Sequence, residues 1–286
     1  MKKLIYLALF ISLLNGKSEI IYTIKYLPNT TFNVTTSISS ENFIDIVDGN
    51  KSAIESLKNK GISFPAIIKQ IQESSKIIKN KDLDKNGNLS METKHISNEN
   101  YILRDNKKIK IKNFTDKLSG STFYQTKLKN GDIKLNKIKS DKLSQEEKKL
   151  IFNIYSTIPN SESFSNKKFK IGDIYEEKTP LTIPINNINM NLIQNSQYKL
   201  KEIKNNLAIF DIRSSYTLNI NMQKNKNLDI NFEGFGHGEI IYDIKNMFNK
   251  KHSFLMNFDI DIKMYGLSMK MKTISNTNTL KELNLN

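Results

Sequence analysis

From Phe254 to Met264 the apolar residues Phe254, Met256, Phe258, Ile260, Ile262 and Met264 fall at every second position. Asn257, Asp259, Asp261 and Lys263 stand between them. Only an extended strand places such a series on one face, because strand side chains alternate while helical ones repeat every three to four residues. One apolar and one polar face is the mark of an antiparallel sheet with one buried side. At Tyr265-Gly266 the parity changes, and Leu267, Met269 and Met271 continue the pattern.

The same pattern runs backwards through the second half of the chain. Leu181, Ile183 and Ile185 share one parity; Ile188, Met190 and Leu192 share the other, so a turn or bulge is expected at Asn186-Asn187. Tyr198–Ile203 and Leu207–Ile212 bracket Asn205-Asn206, which reads as a hairpin turn. Tyr216, Leu218, Ile220 and Met222, then Leu228, Ile230 and Phe232, add further strands. Ahead of these, Ile20–Tyr26, Thr30–Ser39, Leu89–Ser97, Tyr101–Arg104 and Lys108–Phe114 are strand candidates. Phe123–Lys129 and Asp132–Ile138 flank Asn130-Gly131, a strong hairpin signal.

Three stretches depart from this period. Ala53, Ile54 and Leu57 predict a short helix ended by Gly61. Phe64, Ile67, Ile68, Ile71 and Ile78 fall at helical spacing, with Ser63 as cap and Pro65 in the first turn, and predict a second helix covering the sheet. Ser144-Gln-Glu-Glu147 is a capping box, and Leu150, Ile151, Ile154, Tyr155 and Ile158 form the stripe of a third. The fold expected is mainly β (α+β): long twisted antiparallel sheets, a half-barrel or two related lobes, with two or three amphipathic helices. The serine-rich stretch Asn160–Lys168 marks the division into 19–158 and 168–286, read either as two halves or as one continuous domain.

The first residues read as an address. Lys2 and Lys3 precede an apolar run from Leu4 to Leu14, too short for a membrane-spanning helix, and Gly16 and Ser18 give a small-residue cleavage site. Residues 1–18 are expected to be a signal peptide and the mature protein to be periplasmic or extracellular, with no transmembrane segment. The chain has no Cys, which excludes disulfides, thiol catalysis, cysteine-ligated metals and a lipidated cysteine. The formal charge is +15, carried almost wholly by lysine: the arginines are Arg104 and Arg213. Base and phosphate recognition favours arginine forks, so specific nucleic-acid binding is not expected.

Motifs for chemistry are sparse. Gly234, Gly236 and Gly238 suggest a phosphate loop, but a strand pattern follows where a dinucleotide site needs a helix; a packing or curvature role fits better. Asp82-Leu-Asp84-Lys-Asn86-Gly87 resembles the start of a calcium loop, yet its twelfth position is Thr93, so a polar turn is expected. Asp259 and Asp261 share a strand face that reads as solvated. His95, His237 and His252 show no metal-binding spacing. No catalytic residue, metal or cofactor is expected.

Phe169-Lys-Ile-Gly-Asp-Ile-Tyr175, Tyr198-Lys-Leu-Lys-Glu-Ile203, Leu207-Ala-Ile-Phe-Asp-Ile212 and Gly234-x-Gly-x-Gly238 with Tyr242-Asp-Ile244 resemble an uncharacterised family of secreted proteins and lipoproteins of Bacteroidota, a domain of unknown function. The likeness covers roughly residues 120 to 275. It implies a β-rich envelope protein and no particular activity. Tyr175 stands where that family often has Trp, and the lipobox Cys is missing.

The leading functional expectation is non-enzymatic binding of a lipid or other apolar ligand, with Phe64, Ile67, Ile71, Met256, Phe258 and Met264 as ligand-binding residues. The alternatives are a structural or interaction module with an envelope protein partner, and a hydrolase around Asp259 and Asp261.

Overall fold

The computed structural model describes residues 18–25, 27–49, 51, 54–55, 59, 63–104, 107–129, 132–157, 166–185, 188–218, 228–264 and 267–284. The expected signal segment therefore lies outside the described residues, apart from Ser18. Within them the chain is mostly strand. The strands are β1 (Glu19–Tyr22), β2 (Thr31–Gly49), β3 (Ala66–Leu83), β4 (Leu89–Arg104), β5 (Lys107–Ile111), β6 (Thr122–Lys127), β7 (Ile133–Lys139) and β8 (Lys167–Lys170). They continue with β9 (Ile174–Ile185), β10 (Ile188–Lys204), β11 (Leu207–Leu218), β12 (Leu228–Asp243), β13 (Phe248–Met264) and β14 (Leu267–Asn284). One regular α-helix, α1 (Gln145–Thr157), and a 3-10 helix at Phe114–Leu118 interrupt them.

Twelve strands form one antiparallel sheet in the order β7-β6-β4-β3-β2-β14-β13-β12-β11-β10-β9, with β5 added beside β4; β1 and β8 form a separate pair. The main sheet does not close on itself: β7 and β9 are its edges among the described residues. This is the long, half-barrel-like antiparallel sheet that the alternation predicts. The first strand of the large sheet pairs with the last, β2 with β14 over Thr31–Gly49. The sequence stretches on either side of Asn160–Lys168 therefore share one sheet, and β1 from the first joins β8 from the second.

Local chemistry explains the turns. Asn205 and Asn206 hold φ of 51° and 60°, which asparagine tolerates better than most residues, and Lys204 pairs with Leu207 across them. Asp84 closes the β3–β4 turn by accepting from the backbone N–H groups of Asn86 and Asn88 and from Asn88 Nδ2, with Gly87 at φ 79°. These bonds hold the Asp84 carboxyl below its usual range, led by the Asn88 side chain. The calcium-like motif is thus a polar turn. The pairs Asn130-Gly131, Asn186-Asn187 and Tyr265-Gly266 lie outside the described residues, but Lys127 with Ile133, Ile185 with Ile188 and Met264 with Leu267 pair across them.

The expected helix over Phe64–Ile78 is corrected by the structure: Ala66–Leu83 is strand β3, between β2 and β4. Its isoleucines are β-branched and suit a pleated surface better than a helix. Two long neighbours flank it, β2 over Ala66–Lys79 and β4 over most of Lys69–Leu83. Of the shorter predicted helix, Lys51, Ile54, Glu55 and Asn59 are helical. The third is α1, with its capping box formed: Ser144 N–H donates to Glu147 Oε2 (2.8 Å) and Glu147 N–H to Ser144 Oγ (3.2 Å). Its buried side is rotated from the expected stripe. Ile151, Phe152 and Tyr155 pack on Phe123, Leu135 and Ile138 of β6 and β7, while Leu150 and Ile154 are exposed.

The edge strand β9 is defended. Pro180 sits opposite Ile193, and proline, which has no N–H to offer an incoming strand, is a residue that edge strands use against further pairing. Pro180→Thr restores that donor and is expected to shift the chain toward concentration-dependent self-association in sedimentation velocity. Unchanged sedimentation at every concentration would show that the edge is guarded by other means.

Candidate functional site

From β9 to β3 the pairing registers shift only at Leu200/Glu202, Ile241/Tyr242 and Ser268/Met269, near strand ends, so side chains line up in rows across the middle of the sheet. One face carries the hydrophobic clusters. Ile20, Tyr22 and Phe169 of the small sheet lie against Leu200, Phe210, Ile212, Ile240, Tyr242 and Phe254. Leu192, Tyr216 and Phe232 pack with Met256, Phe258 and Ile260. The opposite, open face is mostly polar, although Phe43, Ile67, Phe235, Ile274 and Leu280 stand exposed on it. On it Lys69 pairs with Glu41 (2.9 Å), Lys108 with Glu73 (2.7 Å), Lys110 with Glu99 (2.6 Å) and Lys272 with Asp259 (3.6 Å). Such mid-strand charges are unsuited to the apolar outer band of a membrane barrel.

The glycine stripe explains how the packed face is filled. Gly234, Gly236 and Gly238 of β12 oppose Phe258, Met256 and Phe254 of β13 on that face. A Cβ on Gly234 would lie 2.6 Å from the Phe258 ring, and one on Gly236 2.6 Å from the Phe254 ring. The bare stripe lets two aromatic rings lie down on the backbone of β12. This is packing, as the sequence context suggested, and a strand rather than a helix follows the glycines.

Along β14 the packed face changes character in order: Met269, Met271, Thr273, Ser275, Thr277, Thr279, Lys281, Leu283. Its neighbours grade in the same direction. Ile260 and Ile44 flank Met271; Met256 and Ser40 flank Ser275; Val34 lies beside Lys281. At the first end Met256, Phe258, Ile260, Ile262, Met269, Met271 and Ile44 make a half-buried apolar patch over β13, β14 and β2. Among the described residues α1 packs on β7 and the 3-10 helix on β4.

At the other end the face is basic. Lys76 and His95 are directly opposite on β3 and β4, and Val34 separates Lys76 from Lys281. Lys281 Nζ stands 4.1 Å from the centre of the Phe32 ring and 5.6 Å from that of Phe248. Lys127 of β6 is buried nearby. Burial lowers the Lys76 ammonium. Lys281 is pushed down to about 8, first by burial and then by the charges of Lys76 and Lys127. His95 is pushed down to about 4, by burial first and by Lys76 second.

The His95 shift carries a pH dependence with a definite sign. Between about 6.5 and 4 the unfolded chain binds a proton at this residue that the folded chain refuses. The stability is therefore fully present above 6.5 and is lost as pH falls through about 4, a loss of order 3 kcal/mol. His95→Gln is expected to flatten urea midpoints measured from pH 7 to pH 4. Equal acid sensitivity in both proteins would mean that other groups govern it. Lys281 works in the opposite part of the scale: its penalty is fully present below about 8 and lifts as pH rises toward 10.5.

The structure separates the residues expected to bind a ligand. Met256 and Phe258 lie together on the packed face. Ile67 and Ile71 point from β3 to the open face, where Ile71 helps line a shallow depression of about 240 Å³. Phe64 precedes β3 and is half-buried; the side chain of Met264 lies outside the described set. Met269 and Met271 are legible in the sequence as a continuation of the alternating apolar face and as adaptable pocket-lining methionines; the basic row is not. The alternating order of β14 carries a signal for Lys281, but Lys76 and His95 meet it only through the pairing register.

Other chemistries find little here. Asp259 and Asp261 are exposed on the open face, whereas His95 and His252 belong to the packed face and His237 stands across from Leu255. Two larger open-face depressions, about 580 and 490 Å³, are lined by Glu176, Gln197 and Arg213 and by Ser37, Glu73 and Glu99 respectively. Gln197 Nε2 donates to Glu176 Oε1 (2.7 Å), and the two glutamates of the second are paired with lysines. Among the described residues no group of acidic or histidine side chains is placed to hold a metal ion, and no helix is long and apolar enough to cross a membrane.

No known family description matches the chain, and no curated protein is matched. Among solved structures, an outer membrane channel from Pseudomonas putida F1 aligns over 93% of this chain and 98% of that one, at 7% identity and a TM-score of 0.22. That score is too low to indicate a shared fold.

Proposed function

We propose that this chain is a secreted, non-enzymatic binding protein of the cell envelope that holds a lipid or other apolar ligand on the packed face of its sheet. The observation that supports this reading is the patch of Met256, Phe258, Ile260, Ile262, Met269, Met271 and Ile44. Sheets with an apolar face normally bury it under a second layer. Here α1 packs on β7 and the 3-10 helix on β4, away from the patch, which is rich in methionine, whose flexible thioether adapts to apolar guests. Phe258 extends over Gly234 and Met256 lies among rings, so one side of the patch is prearranged.

The test is native mass spectrometry of the mature protein from its own envelope, with lipid extraction of the same sample. The expected result is a stoichiometric adduct and a recovered lipid. In parallel, an apolar fluorescent probe should bind the delipidated protein, and Met271→Asp should weaken it about tenfold, because the ligand would then meet an unpaired charge. A bare mass together with no probe binding would make the patch ordinary core.

A further inference from the structure

The basic row is an arrangement that costs stability as it stands. Lys281, Val34, Lys76 and His95 are neighbours across four strands. The adjoining row on the same face holds Thr279, Thr36, Ser74 and Asn98, and the row beyond holds Leu283, Phe32, Ile78 and Thr93. None of these positions is a carboxylate. Neither Lys76 nor Lys281 forms an ion pair among the described residues. Like charges drawn together away from water repel, and buried charges are ordinarily paired.

Two polar side chains beside them are also unpartnered. Asn98 is only 6% exposed, and its Nδ2 has no hydrogen-bond partner although its backbone N–H is taken by Ser119 Oγ. His95 Nε2 is buried and unpartnered as well, with its ring against that of Phe123. Two ammonium groups, an imidazole and a carboxamide thus adjoin one another on one face of the sheet. Nearby buried polar groups are mostly satisfied: Thr93 Oγ1 donates to Gln125 Oε1 (2.8 Å), and Asn100 Nδ2 donates to Thr115 Oγ1 (2.8 Å). Asn80 Oδ1, further along β3, also lacks a partner, but its Nδ2 donates to Leu27 O and Thr30 Oγ1.

From this geometry we infer that Lys76, Lys281, His95 and Asn98 form a binding site for a phosphate-class oxyanion, either free or as the headgroup of an amphiphile. A tetrahedral anion has enough acceptor oxygens to take all four groups, and its charge replaces the missing carboxylates. The Phe32 and Phe248 rings hold the Lys281 ammonium itself, 4.1 and 5.6 Å from their centres. The site lies at the other end of β14 from the apolar patch, roughly 34 Å from Met271 at about 3.4 Å per residue. It therefore stands without the apolar reading, and joins it only if the ligand is an amphiphile.

The experiment measures binding of inorganic phosphate, and separately of a short-chain phosphatidic acid, to the full mature chain at pH 7 and constant ionic strength. Lys281→Met keeps an unbranched stem and removes a buried charge, so it is expected to fold. It should bind either probe at least about tenfold more weakly than the parent. In the parent, nitrogen-edited NMR should show the Asn98 side-chain amide moving as probe is added, a readout that needs no variant. Phosphate binding that the variant loses supports a site for the free anion. Binding of phosphatidic acid alone, lost in the same variant, supports the site and assigns the phosphate to a headgroup. Binding of neither probe, equal binding by parent and variant, or a stationary Asn98 amide overturns the inference. Met271→Asp should leave phosphate binding unchanged, so failure of the apolar reading would not be mistaken for failure of this one.

Discussion

Gly238→Ala is expected to destabilise the protein by about 3 kcal/mol or more, the upper range for overpacking a core. A Cβ there would lie 2.1 Å from the carbonyl oxygen of Ser253, 2.6 Å from Phe254 Cδ2 and 2.9 Å from Phe254 Cα. The first and last of these are backbone atoms held by the β12–β13 ladder, so neither can yield without breaking the pairing. Gly236→Ala should cost less, because its worst clashes are with the Phe254 ring at 2.6 Å, although Leu255 O is 3.0 Å away. Gly234→Ala should cost least, since Phe258 ring atoms and Tyr216 Cβ are its neighbours. Urea denaturation of the three variants checks the order. A double-substitution series sharpens it: Phe258→Leu should relieve much of the Gly234→Ala penalty, whereas Phe254→Leu should leave most of the Gly238→Ala penalty in place. Equal costs at all three positions would mean that β12 can shift bodily.

Phe210→Ala is expected to have an effect of similar size, a loss of about 3–5 kcal/mol. Phe210 is fully buried and receives two rings edge-on: Tyr22 of β1 at 5.5 Å and Phe169 of β8 at 5.3 Å. Tyr22 also leans on Tyr242 at 4.7 Å and donates to Asn249 Oδ1, while the Tyr242 hydroxyl donates to the backbone oxygen of Thr23. The small β1–β8 pair thus docks on the large sheet chiefly through one aromatic group. Removing its central ring should loosen that pair before it loosens the sheet. Hydrogen exchange should show protection lost first at residues 19–22 and 167–170, together with a lower urea midpoint. Unchanged protection in those segments would show that the backbone bond from Lys25 N–H to Met247 O and the Tyr242 hydroxyl suffice to hold them.

The residues that misled sequence reasoning did so for a definable reason. Ile67, Ile68 and Ile71 satisfy helical spacing, yet Ile68 and Ile71 lie on opposite faces of β3. Their common feature is branching at Cβ, not a common face. The expected ligand set inherited that error, since it placed Ile67 and Ile71 with Met256 and Phe258. The capping box at Ser144 was legible because it is a local exchange of hydrogen bonds. The side of α1 that became buried was not, because β6 and β7 decided it.

The amino-acid order alone determined the strand-rich, antiparallel character of this protein, several of its hairpin turns and the packing role of the glycine stripe. Those properties follow from period-two alternation, from asparagine and glycine at turns and from the absence of a side chain, all within a few residues of chain. Tertiary structure decided that the first and last long strands pair, that β3 joins the sheet, and that Lys76, Lys281, His95 and Asn98 share one face. Side-chain alternation says which residues lie together on one strand, but only the register between strands, set by contacts roughly 220 to 250 residues apart in the case of β2 and β14, says which residues meet across it.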